Sequence, residues 1–455
     1  MKEQVKLGKP TLTVVDAIAQ SLAIGPVLSA VLLASFVAGV AGSAAPLAAL
    51  VGAVGSICVG WVIVLFARRY TGAGAIYDYV RKASSGSLGL FAAGIYFIGF
   101  MFLGGAGIYL AIGFFTQLFF SAYLGINIAW WIWAIVATAL VFAFNHFGVT
   151  TTTRTQLILT ILAVLPVLIV ALAVIFQGGV AGHTAQVWNA GNPNAGNLFR
   201  GVLLAITLFI GFEASASLSE ETRDPKRAIP FAVIGTVVIA ALFYLIVLYA
   251  SAIGFGIDNI AALASDPAPL STLGGTFVGG WIAPWIDVAL IVDMMAVASA
   301  FMATTARGWF ALGRHGLLPN ALTTKSQYDT PLGGNVLVAV LAAVLVVLTL
   351  LFRMEPMSMF TANALTGTLM ISVIYILLAV LAFRLVPSSS PWQYVVVALA
   401  IVTPVLAVYG SIIPFPPYPA NVGVWCAVAG VAIAAVWTMA GASRVPVSEG
   451  LEAGD

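Results

Sequence analysis

Glu213 lies two residues after Gly211 in the stretch Phe209-Ile-Gly-Phe-Glu-Ala-Ser-Ala-Ser-Leu-Ser-Glu-Glu-Thr-Arg-Asp-Pro-Lys-Arg-Ala-Ile-Pro230, which begins apolar and leaves through a charged turn. A carboxylate at membrane depth is expensive and marks an ion or substrate path. The neighbouring glycine loosens the helix, and non-helical backbone survives in a bilayer only where it lines a protein-walled cavity. Two more carboxylates, Asp287 and Asp293, share one apolar segment. At about 100° per residue they point roughly 120° apart, so they do not share a narrow stripe. Asp293 is the deeper and the better candidate for function, and Asp287 belongs nearer an outer vestibule. For both, the plain alternative is a buried helix–helix hydrogen bond.

Enzyme chemistry would need convergent His, Ser, Cys, metal or acid–base groups at one depth. His146, His183 and His315 fall in expected loops, and Cys58 and Cys426 in apolar segments, with no metal spacing and no nucleophile elbow. No catalytic residue, metal or cofactor is expected, and nothing points to nucleic acid.

The elements that position these carboxylates follow from composition. Of 455 residues 62% are hydrophobic and 7% charged, with a mean hydropathy of +1.09. Soluble domains carry roughly a quarter charged residues, so the partner is a lipid bilayer. Segments of about 20 apolar residues recur, each able to span the hydrocarbon core, where a β-barrel would show short alternating strands. The fold class is therefore an all-α polytopic membrane protein. Twelve spans are expected: Leu12–Val40, Leu47–Phe66, Leu88–Phe119, Ile126–Phe144, Gln156–Phe176, Leu198–Leu218, Ile229–Phe255, Phe277–Met302, Val336–Leu351, Met357–Phe383, Trp392–Ile413 and Val422–Ala440. The first is too long for a signal peptide core. With both termini cytoplasmic, 16 of the 18 Lys and Arg fall inside and only Arg200 and Arg353 outside, as the positive-inside rule requires. Trp130, Trp131, Trp133, Trp281 and Trp285 then mark outer helix ends.

Spans one and six are interrupted at matching places, by Gly25-Pro26 and by Gly211 next to Glu213. Proline removes a helical N–H and clashes with the preceding turn. Each break opens a five-helix block, and an odd block inverts its successor. Paired breaks in inverted halves point to a transporter's binding site; the bland alternative is that both glycines merely kink or pack.

The run Gly-Phe-Glu-Ala…Leu-Ser-Glu-Glu-Thr-Arg-Asp-Pro-Lys-Arg-Ala-Ile-Pro resembles the amino acid–polyamine–organocation superfamily, notably its arginine–agmatine antiporter and cationic amino acid permease branches. Arg307-Gly-Trp-Phe-Ala-Leu-Gly-Arg-His-Gly-Leu-Leu-Pro319 and, more loosely, Arg68-Arg-Tyr-Thr-Gly-Ala-Gly-Ala-Ile-Tyr77 add to the likeness, which covers about Leu12 to Arg384. It implies five-plus-five inverted helices of the LeuT type with discontinuous helices one and six, and two peripheral helices. The expected units are a cytoplasmic tail 1–11, repeats 12–178 and 198–385, peripheral helices 391–441 and a tail 442–455.

The resemblance also implies a substrate lying between the two breaks, against Ala23, Ile24, Gly25, Pro26, Val27, Thr207, Phe209, Ile210, Gly211 and Phe212. An ammonium would rest on carbonyls freed near Ala23, Ile24, Thr207 and Ile210, since half-helix C-terminal ends carry negative partial charge. The N-terminal end at Pro26-Val-Leu-Ser29 would face a substrate carboxylate. Here the chain departs from many relatives, which have small residues after the glycine. With Pro26-Val27, either the carboxylate uses the Val27 and Leu28 N–H groups or the ligand is an amine without one. Glu213 matches the family's proton-coupling position, with Asp293 as its companion, and Phe301 falls where relatives place an aromatic gate. The lysine that some relatives carry in helix five is replaced by Gln156-Leu-Ile-Leu-Thr-Ile-Leu-Ala163. With no base deep in any span, the interior suits cationic or zwitterionic ligands, and sodium bound through Ser299 stays open. Glu220, Glu221 and Asp224-Pro225-Lys226-Arg227 offer an inner-gate salt bridge.

The expectation is a proton-coupled secondary transporter of an amino acid, biogenic amine or polyamine, working by alternating access in the cell (inner) membrane as a monomer or homodimer. Exchange or sodium symport on the same fold are alternatives. From other classes, a channel would want a filter motif and pore rings, and a substrate sensor would want longer tails.

Overall fold

The computed structural model describes residues 10–23, 25–180, 182–191, 196–266 and 268–441. The expected tails 1–11 and 442–455 therefore lie almost wholly outside the described residues, and so does Ile24.

Among the described residues the chain is helical, with ten helices long and apolar enough to cross a membrane. Two shorter apolar helices, Trp130–His146 and Leu198–Thr207, occupy the fourth and sixth expected spans. Helices so uniformly apolar must sort their faces by packing rather than by polarity. In Val149–Gln177, Ile158, Ile161, Leu162 and Leu165 form an outward stripe, while Thr160, Ala163, Val167 and Val170 turn inward and are buried. The same fifth span brings Gln156 wholly inside.

Span one is broken where the sequence places Gly25-Pro26. Val14–Leu22 ends, Gly25 takes φ +94°, and helix resumes at Pro26. That φ belongs to the left-handed region where glycine alone is at ease, and Pro26 suits a first helical position because its missing N–H would be orphaned anyway. The first half starts with a reciprocal cap: the Thr13 N–H donates to Asp16 Oδ2 at 2.8 Å and the Asp16 N–H to Thr13 Oγ1 at 3.4 Å.

Span six is broken likewise. Leu198–Thr207 unwinds through turns, Gly211 takes φ +108°, and a single 3-10 segment, Ala214–Leu218, carries the chain onward. The second half is thus shorter and tighter than the first half.

Span eight differs from its expected extent. Phe277–Met302 gives way to Ala283–Arg314, more than three turns beyond Met302. The charges on the added turns are paired in place: Arg307 and Arg314 each meet a glutamate from the segment after span six. Arg307, beyond the expected end of span eight, is buried within the longer helix. Span three is also interrupted, by a π-turn at Met101–Gly105.

Candidate functional site

The two breaks face each other. Ser29, one turn into the resumed first helix, points its hydroxyl at the Leu208 carbonyl at 3.5 Å, where span six unwinds. The Tyr244 hydroxyl donates to the same carbonyl at 3.0 Å. On the other side the Ser215 N–H donates to Ser21 Oγ at 3.1 Å, joining the last turn of the first half-helix to the start of the 3-10 segment. Ala23, Gly25, Pro26, Val27, Phe209, Ile210, Gly211 and Phe212 are buried around this junction, and Thr207 is half-buried. Thr207 donates its hydroxyl to the Leu204 carbonyl at 2.6 Å, and its own carbonyl accepts a long 3.4 Å bond from the Ile210 N–H. Phe209 packs edge-on against Tyr244, and Phe212 stacks on Tyr375. A crevice on the far side of span six is lined by Phe209, Ile210 and Phe212 with Ser56, Tyr375 and Thr403, so these three expected site residues border it as well as the junction.

Each break has a buried carboxylate, held differently. Asp293 reaches from span eight to span one, where Oδ2 accepts the Leu28 N–H at 2.7 Å. Glu213 sits in its own break, and its Oε2 accepts the Tyr375 hydroxyl from span ten at 2.6 Å. The Tyr96 side chain is within electrostatic reach of the same group. Asp293 Oδ1 and Glu213 Oε1 are buried without a partner, and no Lys, Arg or His among the described residues pairs with either acid. Asp287 lies apart and less buried, its carboxylate accepting from the Tyr123 hydroxyl at 2.8 Å. Phe301 is buried beside Phe100, ring centroids 4.7 Å apart, over Gly104 of the π-turn.

Ser299 is occupied by neutral donors. The Asn145 and Gln156 side-chain amides approach its hydroxyl oxygen at 3.0 and 3.1 Å. Gln156 thus takes, from span five, the place next to Ser299 for which the sequence reading considered a cation.

One end of the bundle, rich in Arg and Lys, is latched by charge. Arg307 donates to Glu221 at 2.7 Å, both nearly sequestered, and Arg314 grips Glu220 with two bonds of 2.8 and 3.1 Å. Glu220 also accepts the Ala73 N–H at 3.0 Å, and Leu12 pairs through its backbone with Thr222 and Arg223. The latch therefore joins the chain before span one, the loop after span two, the chain after span six and the end of span eight. Its acids are Glu220 and Glu221; Asp224 instead stands at φ +45° just before Pro225 opens the seventh span. In the helix Ile76–Ala83, burial pushes the Asp78 carboxyl up from its usual range against the pull of Lys82 and Arg81. Tyr77 pairs with His315 at 3.0 Å, whose imidazole burial pushes down to about 4, helped by Arg81 and Arg314.

Sequence reasoning missed Tyr96 and Tyr375, because a tyrosine in an apolar span carries no local sign of its partner; it named the Leu28 N–H as a donor but not Asp293 as its acceptor. Arg307 did carry a sign: a base inside a hydrophobic run implies a nearby acid.

A family model described as amino acid permease matches residues 15–442. The branched-chain amino acid permease BcaP of Bacillus subtilis is 29% identical over 189 residues, 41% of this chain and 39% of that protein. The low-affinity putrescine importer PlaP of Escherichia coli is 26% identical over 291 residues, 60% of this chain and 61% of that protein. The matches thus span about two-fifths to three-fifths of these relatives' length. A solved sodium-coupled sialic acid symporter in a substrate-bound outward-open state shares the fold, with a TM-score of 0.54 over 90% of this chain and 92% of that one at 12% identity.

Proposed function

The chain belongs to the amino acid permease family, a family of transporters and not enzymes, and from that premise we propose that it is a proton-coupled secondary transporter of an amino acid or amine. The reading is carried by one observation: two glycine breaks face each other, and a buried carboxylate with an unpartnered oxygen stands at each. Broken helices that meet at a buried charge are what ion-coupled substrate sites are built from. Glu213 is the proton carrier in this proposal, since its tyrosine partner can stay bonded to either protonation state.

The remainder of the proposal follows the same architecture. The two shorter apolar helices complete twelve spans, 12–178 and 198–385 form inverted repeats, and the basic end with both termini faces the cytoplasm. Residues between the breaks, from Ala23 to Val27 and from Thr207 to Phe212, line the substrate, with Phe301 as the aromatic gate. The charged latch closes the cytoplasmic path in this conformation, and rocking spans one, two, six and seven opens it. Sodium coupling at Ser299 is disfavoured because two amide groups already fill its oxygen.

Uptake into proteoliposomes separates these readings. An inward proton gradient is expected to drive accumulation of amine or amino acid, while a sodium gradient does nothing. Glu213→Gln is expected to keep substrate exchange yet lose gradient-driven accumulation. Accumulation driven by sodium alone, or full proton-driven accumulation in Glu213→Gln, would remove the proposal.

A further inference from the structure

We infer that the ligand of this site is a primary amine that lacks a carboxylate, because Asp293 supplies from the protein the carboxylate that an amino acid would otherwise bring. The inference rests on the transporter reading and narrows its substrate class. Three observations carry it.

Of the Val27 and Leu28 N–H groups that would hold a ligand carboxylate, that of Leu28 is already spent. The resumed half of span one opens with Pro26, which has no N–H, and the Leu28 N–H already donates to Asp293 Oδ2 at 2.7 Å. The contact is close-fitted: a Cβ added to Gly25 would stand 3.3 Å from the same oxygen. Asp293 itself is fully buried, its Oδ1 has no partner, and no basic side chain among the described residues pairs with it. Half of its hydrogen-bonding capacity and all of its charge are thus left unpaired where span eight meets the break in span one.

An amino acid placed here faces two obstacles. Its carboxylate must either displace Asp293 from the Leu28 N–H, leaving a buried charge without a donor, or lie beside a like charge in a medium that screens poorly. An amine of the same side chain meets neither. Its ammonium gains a charge-assisted bond to Oδ1 and neutralises a charge whose lone burial is otherwise costly. Glu213 Oε1 is a second unpartnered acceptor at the facing break. The bulky Val27, which crowds a carboxylate's approach, becomes apolar lining for an alkyl chain.

Pairs of ligands that differ only by the carboxylate test this directly. Cadaverine and lysine, putrescine and ornithine, and isopentylamine and leucine are titrated calorimetrically into the full-length protein in detergent. In at least one pair the amine is expected to bind at least tenfold tighter than its parent amino acid. Asp293→Asn is expected to weaken that amine at least tenfold and to leave the parent unchanged or strengthened, so the ratio collapses. A cap with a merely structural role would alter stability without moving the ratio. Parents that bind as tightly as their amines, or a ratio that survives Asp293→Asn, overturn the inference and leave the transporter standing. Should the variant fail to fold, the wild-type ratio decides alone. If no member of any pair binds, the transporter reading falls and takes the inference with it.

Discussion

At the basic mouth the acids meet guanidinium groups, buried Glu221 with Arg307 and half-buried Glu220 with Arg314, whereas at the helix breaks Asp293 and Glu213 meet a backbone N–H and a phenol. Both regions are buried, and both contain acids on elements that the chain brings together from afar. The difference lies in what has been left open. At the mouth the ion pairs satisfy each other, which is how a closed latch is built. At the breaks two carboxylate oxygens remain without a partner, and on the proposed reading that unpaired charge is what a ligand or a proton would meet.

The largest effect should come from breaking a pair at the mouth. Arg307→Ala leaves Glu221 buried and alone, a loss of about 3–5 kcal/mol for such pairs. Melting of the detergent-purified protein is therefore expected to collapse, while the double change Arg307→Met with Glu221→Met restores most of it. Asp293→Asn at the break should instead shift melting little, since the amide oxygen still accepts the Leu28 N–H. If Asp293→Asn proved as damaging to melting as Arg307→Ala, the contrast between the two regions would be lost.

A smaller loss is expected from the backbone of the break. Gly25→Ala forces a side chain into φ +94° and drives its Cβ to 2.5 Å from Val297 Cγ2. Strain of this kind costs about 1–3 kcal/mol. The variant should melt lower and lose ligand binding, because Val297 lies one turn from Asp293 on span eight. Unaltered binding by Gly25→Ala would mean that the break does not shape the site.

Much of this arrangement was legible in the sequence. The breaks could be read because glycine and proline act locally, and Glu213 and Asp293 because a carboxylate in an apolar run has few explanations. Span eight runs past Met302 for a reason no local pattern shows: Arg307, on the added turns, has its partner 86 positions earlier in the chain. The same limit hid Tyr375 and the pairing of the Leu28 N–H with Asp293. A phenol or an N–H looks alike in every helix until tertiary packing chooses its acceptor. The open question about Pro26-Val27 could be posed from sequence, but its terms changed once Asp293 was found on the Leu28 N–H.

His315 gives the smallest and most particular test of the latch. Its folded pKa of about 4 lies below the ordinary value of 6.5, through burial first and then the nearby Arg81 and Arg314. The unfolded chain therefore binds the proton more readily, and stability falls as pH drops from about 6.5 towards 4. Because His315 is partly exposed, solvent screening holds its share to on the order of 1 kcal/mol. Asp78 opposes this trend, since burial raises its pKa and folding then favours its protonated form. The total pH profile mixes both groups, so the informative quantity is the difference between wild type and His315→Gln. That difference in melting temperature should be small and flat above pH 7 and should grow in favour of the glutamine variant below pH 6. A constant offset across the whole range would show that His315 contributes packing against Tyr77 and carries no proton-linked term.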